Sequence, residues 1–290
     1  MNTEKNPCCD SQSNCCDSTD TTVNESHADN IRNKVRDSYS KVAESSNNGD
    51  GCGVESSCCG VSDDADINTL ISTRLGYSKA DLASVPEGAD MGLGCGNPRA
   101  IASLKPGEVV IDLGSGGGFD AFLAAQEVKD SGKVIGIDMT PEMLSKARNN
   151  AEKGKFTNVE FRLGEIEYLP VANNTADVII SNCVINLSPN KPQVFKDAFR
   201  ALKPGGRLAI SDIVASTELP EEAKQNMQLH SACISGASLI VELEQMMADA
   251  GFENIRIKPK DESKHFIKDW APGSKMEDYV LSATIEAVKP

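Results

Sequence analysis

From Lys105 onward one unit repeats: a short apolar run, a polar or glycine-rich turn, then apolar residues at helical spacing. KPGEVVIDLGSGGGFDAF carries the first copy, with an apolar strand from Val109 to Leu113 and a helix start whose Phe122, Leu123 and Ala125 can face a sheet. KVIGID, residues 133 to 138, is a second strand. Thr140 with Pro141 behind it forms an N-cap and first-turn pair for a helix carrying Met143, Leu144, Ala147 and Ala151. VEFRL (159 to 163) and ADVIISNCV (176 to 184) follow, and the near-continuous apolar run of the latter is what a strand buried on both faces requires. A stripe of Val194, Phe195, Ala198, Phe199 and Leu202, a KPGG turn and the strand RLAISD (207 to 212) complete the series. Alternation this regular restricts the chain to an α/β fold with a doubly wound, mostly parallel sheet.

The residues before this series have a different character. Cys8, Cys9, Cys15, Cys16, Cys52, Cys58 and Cys59 make seven of the ten cysteines, and no Leu, Phe or Trp accompanies them before Leu70. Rich in Ser, Asn, Asp and Thr, this composition reads as a mobile tail. One amphipathic helix is expected inside it, from about 28 to 44: Ile31, Val35, Tyr39 and Val42 fall at helical spacing, and Ser26 with Asp29 resembles a capping pair. GDGCGVESSCCG, residues 49 to 60, is then a thiol-bearing loop. Beyond residue 251, NIRIKP and DYVLSATIEAV read as strands of a small C-terminal α+β lobe.

A formal charge of −14 repels phosphate backbones and anionic membranes, so nucleic acid and membrane partners are disfavoured and small molecules favoured. No run approaches the roughly 18 apolar residues of a spanning helix, and the polar N-terminus lacks a secretory signal, which points to the cytoplasm. Thiols there are mostly reduced, so metal, metalloid or redox chemistry is expected of the cysteines rather than a disulfide framework.

The glycine turn departs from the dinucleotide fingerprint, because Phe119 stands where that motif needs Gly or Ala; a nicotinamide cofactor is disfavoured. What fits is an acidic residue followed by alternating glycines: Asp112, Gly114, Gly116 and Gly118. Asp138, ending the second strand, is placed to accept hydrogen bonds from ribose hydroxyls. With the acidic GEIE after the third strand, residues 105 to about 215 resemble the class I methyltransferases that use S-adenosylmethionine.

Ligands of doubly wound folds bind outside the carboxyl ends of the strands, where Asn182 and Cys183 stand. Cys95 lies in LGCGNP between two glycines, and Cys233 lies in HSACISGAS, in an insertion after the fifth strand that can cover the same rim. Three separated thiols converging on one pocket suit a soft, thiophilic centre. His230 and His265 read as ordinary polar residues.

LGCGNP, SNCVINLSP and SACISGA, with DLGSGGGFD and GIDMTPEML between the first two, resemble the microbial arsenite methyltransferases from about residue 30 to the early 250s. The resemblance implies that Cys95, Cys183 and Cys233 hold trivalent arsenic. It also implies that Tyr39, Asp112, Gly114, Ser115, Gly116, Asp138, Met139, Glu165, Ile166 and Asn182 contact S-adenosylmethionine. A further N-terminal cysteine would pair with Cys95 in a disulfide later opened by thioredoxin or glutathione; Cys52, Cys58 and Cys59 all lie in the corresponding loop, with Cys58 or Cys59 preferred. Arsenite and its methylated products are the expected small-molecule partners. The implied organisation is a Cys-rich tail (1–27), a helix with thiol-bearing loops (28–104), a donor-binding domain (105–215), and an arsenic-site insertion with the C-terminal lobe (216–290). Two rivals remain: a methyltransferase for a small organic acceptor, and a non-catalytic thiol-rich protein that sequesters metalloids.

Overall fold

The computed structural model describes residues 19–48, 64–270 and 272–290, so Cys8, Cys9, Cys15, Cys16, Cys52, Cys58 and Cys59 lie outside the described residues. Seven strands form one sheet: β1 (Val109–Leu113), β2 (Lys133–Asp138), β3 (Val159–Leu163), β4 (Ala176–Asn182), β5 (Leu202–Ala215), β6 (Glu253–Lys260) and β7 (Val280–Val288). Their spatial order is β3-β2-β1-β4-β5-β7-β6. β1 to β5 pair in parallel, with Ile111 beside both Ile135 and Ile179. Alternation along the strands divides the core between the two faces. Ile111, Ile135, Ile179 and Leu208 pack on one side with Val194 and Phe195, while Val110, Val134, Val178 and Ala209 pack on the other with Phe122 and Leu144. Because both faces are covered by helices, the middle of each central strand is a run of apolar residues, and polar ones stand toward the carboxyl ends, as Asp112, Asp138 and Asn182 do.

Three expectations are revised. The N-terminal helix runs from Thr19 to Asn48, longer than 28 to 44, because no Gly or Pro interrupts that stretch. Ser26 and Asp29 therefore sit inside it, and Asp29 accepts a hydrogen bond from Arg32 at 3.0 Å in place of capping. The KPGG segment is a bulge within β5: the pairing to β4 jumps from Ala176–Leu202 to Val178–Arg207. The two C-terminal strands join the main sheet, with β7 antiparallel to β5 along its whole length and β6 antiparallel to β7. Without β7 the long apolar β5 would present an open edge, which explains why these strands dock there. Among the described residues no helix is long and apolar enough to cross a membrane.

Candidate active site

The glycine turn between β1 and the Phe119–Val128 helix brings three carboxylates together. Asp112 is buried at the end of β1, and its Oδ2 has no hydrogen-bond partner. Burial, reinforced by Asp120 and Asp138, holds its carboxyl well above the usual range. Asp138 accepts from the Thr140 amide at 2.8 Å and the Gly116 amide at 2.9 Å; Thr140 is the N-cap of the helix Pro141–Gly154, as expected, but its side chain makes no cap hydrogen bond. Gly114 has φ +65°, and a Cβ there would lie 2.3 Å from the Val184 side chain; only glycine lets this turn approach the segment after β4. The buried Ser115 hydroxyl is also unpartnered.

An unpaired buried carboxylate, an unpaired hydroxyl and two further acids beside one turn suit a ligand bearing positive charge and N–H donors. S-adenosylmethionine has both, in its sulfonium and ammonium groups. Next to this turn a cavity of about 390 Å³ is lined by Arg36, Met139, Pro141, Leu163, Gly164 and Glu165. It holds Met139 and Glu165 of the expected donor site. The Ile166 side chain belongs to the core. Glu165 is paired with Arg32 at 3.4 Å and Arg36 at 3.6 Å, which ties the N-terminal helix to the loop after β3.

The three cysteines meet at the carboxyl ends of β4 and β5. The Sγ atoms of Cys95 and Cys183 and a carboxylate oxygen of Asp212 all lie within 4.8 Å of one another. The Cys233 thiol donates to the Cys183 carbonyl at 2.7 Å, and Cys183 is in hydrogen-bonding contact with the thiols on both sides. All three are free cysteines. Burial pushes the Cys95 thiol up to about 11. For Cys233, its contact with Cys183 and then burial push the thiol well up; Cys183 is raised too, against a hydrogen bond from Cys233, by its bond to Cys95 and by burial. The site therefore presents neutral thiols. Cys183 and Cys233 both have left-handed backbones, with φ of 60° and 62°, a conformation that L-residues adopt only when their surroundings fix it.

Tyr39 packs into the thiol cluster from the N-terminal helix, and its hydroxyl donates to the Ser231 carbonyl at 3.3 Å. Asn182, expected on the donor, reaches both sides: its Oδ1 accepts from the Cys95 amide at 3.1 Å, and its Nδ2 donates to the Gly96 carbonyl at 2.9 Å and to Asp120 beside the donor turn at 3.1 Å. Four further residues were not foreseen. Tyr77 donates to Asp120 at 2.6 Å, both within reach of the Asn182 amide. Asp212 and Asn186 bond to each other beside the thiols at 2.9 Å. Asn186 lies just beyond the carboxyl end of β4, the signal that marked Cys183, whereas Asp120 is in the first turn of the helix after the glycine turn and Asp212 lies inside β5. Burial raises the Asp212 carboxyl to about 6, against hydrogen bonds from the Ile213, Ile185 and Asn186 groups around it.

A methyltransferase domain model matches residues 104–251. An arsenite methyltransferase of Halobacterium salinarum is 48% identical over 97% of this chain and 74% of its own length. One from Aquipseudomonas alcaligenes is 42% identical over 59% of this chain, which spans about half (51%) of that relative. Among solved structures, the arsenic(III) S-adenosylmethionine methyltransferase of Chlamydomonas reinhardtii superposes with a TM-score of 0.56 at 29% identity, covering 76% of this chain and 72% of that one. Matching over nearly its full length and carrying both the acid-lined glycine turn and the thiol cluster, the chain belongs to the arsenite methyltransferase family of S-adenosylmethionine-dependent enzymes.

Proposed function

We propose that this protein methylates arsenite bound as a three-thiolate complex at Cys95, Cys183 and Cys233. The observation that carries the reading is the meeting of three sulfurs, far apart in sequence, at the strand ends beside the glycine turn. Arsenous acid exchanges three hydroxyls for three sulfurs. Three As–O bonds break and three As–S bonds form, each thiol proton leaves on a hydroxyl as water, and no side chain acts as an external base. Three-coordinate arsenic(III) keeps a lone pair, which makes it the nucleophile.

Asp112, Ser115, Asp138, Met139 and Glu165 would hold the donor, which when bound supplies an electrophilic sulfonium methyl group. The chain brings the two together: Val184, next to Cys183, abuts Gly114 of the donor turn. Such alignment of nucleophile and electrophile is worth about 7 to 11 kcal/mol in the best intramolecular models. Tyr39 and the surrounding apolar side chains exclude water from the acceptor.

Transfer of a methyl cation to arsenic(III) formally oxidises it, so a two-electron reductant must act before another round. Cys58 or Cys59 with Cys95 is the dithiol we assign to that step, with thioredoxin or glutathione restoring it. A reducing cytoplasm suits a chain with ten cysteines, of which Cys95, Cys183 and Cys233 are free thiols. Incubating the protein with arsenite, S-adenosylmethionine and a thiol, then separating the arsenic species, tests the reading. Methylated arsenicals with matching S-adenosylhomocysteine support it. Stoichiometric arsenite binding without turnover favours sequestration instead.

A further inference from the structure

Cys95, Cys183 and Cys233 are separated by 88 and 50 positions, and two of them hold a strained backbone, so something must fix their convergence. The sequence Asn182-Cys183-Val184-Ile185-Asn186 places an asparagine on either side of the central thiol. Asn182 bonds the Cys95 segment on both sides of the cysteine, through the Cys95 amide and the Gly96 carbonyl. Asn186 is buried and donates to the Cys233 carbonyl at 3.2 Å, to Asp212 Oδ1 at 2.9 Å and to the Ile213 carbonyl at 2.6 Å.

Each asparagine faces a glycine on the loop it holds. A Cβ on Gly94 would lie 2.9 Å from Asn182 Nδ2, and one on Gly236 would lie 2.0 Å from the Asn186 carbonyl oxygen. Asp212 braces the second contact by also accepting from the Ile185 amide at 2.9 Å, and Lys191 ties the same loop through the Gly236 carbonyl and the Ser238 hydroxyl.

We propose that Asn182 and Asn186 are positioning residues that assemble the three-thiol site, Asn182 clamping the Cys95 loop and Asn186, braced by Asp212, clamping the Cys233 loop against the Cys183 turn. This rests on the three-thiol reading of the acceptor site. Losing either clamp leaves Cys183 with one well-placed neighbour in place of two, so the site binds as a dithiol.

The test compares arsenite, which takes three thiolates, with phenylarsine oxide, whose arsenic takes two. In Asn182→Ala and in Asn186→Ala, arsenite affinity is expected to fall about tenfold or more, the scale of a lost buried hydrogen bond. Phenylarsine oxide affinity should stay within about threefold, since two thiols still chelate. X-ray absorption of bound arsenite should show the sulfur count falling from three to two. S-adenosylhomocysteine binding to the Asn186 variant reports its fold, and Asn186→Ser, which keeps a short donor beside Asp212, replaces the alanine variant if that one does not fold. Wild-type arsenite affinity with three sulfurs in both variants overturns the proposal, and so does an equal loss for both arsenicals. Fewer than three sulfurs on arsenite in the wild-type protein overturns the functional reading beneath it.

Discussion

The donor side and the acceptor side of this active site are built in opposite ways. The donor side is local: Asp112, Gly114, Ser115 and Gly116 are neighbours in one turn, and Asp138 is the last residue of the adjacent strand. The acceptor side is assembled from three separate loops, with its thiols at positions 95, 183 and 233. They differ as much in charge. Three carboxylates surround the donor turn, and the acceptor presents neutral, buried thiols beside one further acid, Asp212. On the proposed reading, a cationic sulfonium and an uncharged arsenous acid are suited to these two environments in turn, and the site would separate its substrates by electrostatics as well as by shape.

The largest effect is expected where only the acceptor is damaged. Cys183→Ser removes the sulfur that touches both of the others and should lower arsenite methylation by about a thousandfold or more, the scale for a group acting as part of a unit. S-adenosylhomocysteine affinity, read by calorimetry, should be unchanged. Turnover near the wild-type rate in this variant would refute the acceptor assignment.

The reverse experiment damages the donor side alone. Asp112→Asn keeps the shape and removes the group that can ionise against the cationic donor at the unpartnered oxygen, and should weaken donor binding about tenfold to a hundredfold while sparing arsenite binding. The same variant tests the electrostatic half of the comparison. The folded carboxyl at Asp112 binds its proton more tightly than the unfolded chain does. Between the two pKa values the folded state then carries more protons, so donor-free stability falls as pH rises through that window. Thermal unfolding at several pH values should show a shallower fall for Asp112→Asn.

These two variants also mark how much could be read from sequence. Strands β1 to β4 were legible to the residue or nearly so, since short apolar runs and bounding turns are local signals. Asp112 and Asp138 were legible for the same reason. The bulge at Lys203–Gly206 was read as a turn because KPGG has turn chemistry, and only the pairing of the flanking Leu202 and Arg207 with β4 makes it part of a strand. The destination of β6 and β7 depended on an open edge of β5 that no local pattern reveals. Asn182, Asn186 and Asp212 carry no motif of their own; what they do follows from which loops arrive beside them. The three thiols were found through their sequence contexts, by resemblance, and spacing alone would not have joined them.

Where the two sides touch, a single substitution should affect both. Gly114→Ala puts a Cβ at φ +65° and 2.3 Å from Val184, which must push the Cys183 turn away. Overpacking and backbone strain of this kind cost about 1 to 3 kcal/mol, so the melting temperature should drop by several degrees and both donor and arsenite affinity should fall. Gly116→Ala is the control for stability, because a Cβ there meets no protein atom within 4 Å; its stability should lose only the backbone term, about 1 kcal/mol. If Gly114→Ala weakens the donor and leaves arsenite untouched, the two sides are more independent than the Val184 contact implies.

The smallest expected effect is the most diagnostic of the charge difference. Thiols held up near 11, as at Cys95, enter the reaction protonated, and arsenous acid takes one proton onto each hydroxyl it loses. Nothing is left over, so arsenite affinity should be flat from about pH 6 to pH 8, where neither thiols of this kind nor the incoming acid changes charge. A divalent thiophilic ion such as Cd²⁺ brings no hydroxyls and must expel protons to solvent; its affinity for the same three sulfurs should climb with pH, by up to about tenfold per unit for each proton displaced. Direct titration of both probes over that range separates the cases. Arsenite affinity that falls steadily as pH rises would mean that thiolates already exist in the free site and must recover protons to complete the exchange, in which case the acceptor side is as charged as the donor side and the contrast between them lies in their assembly alone.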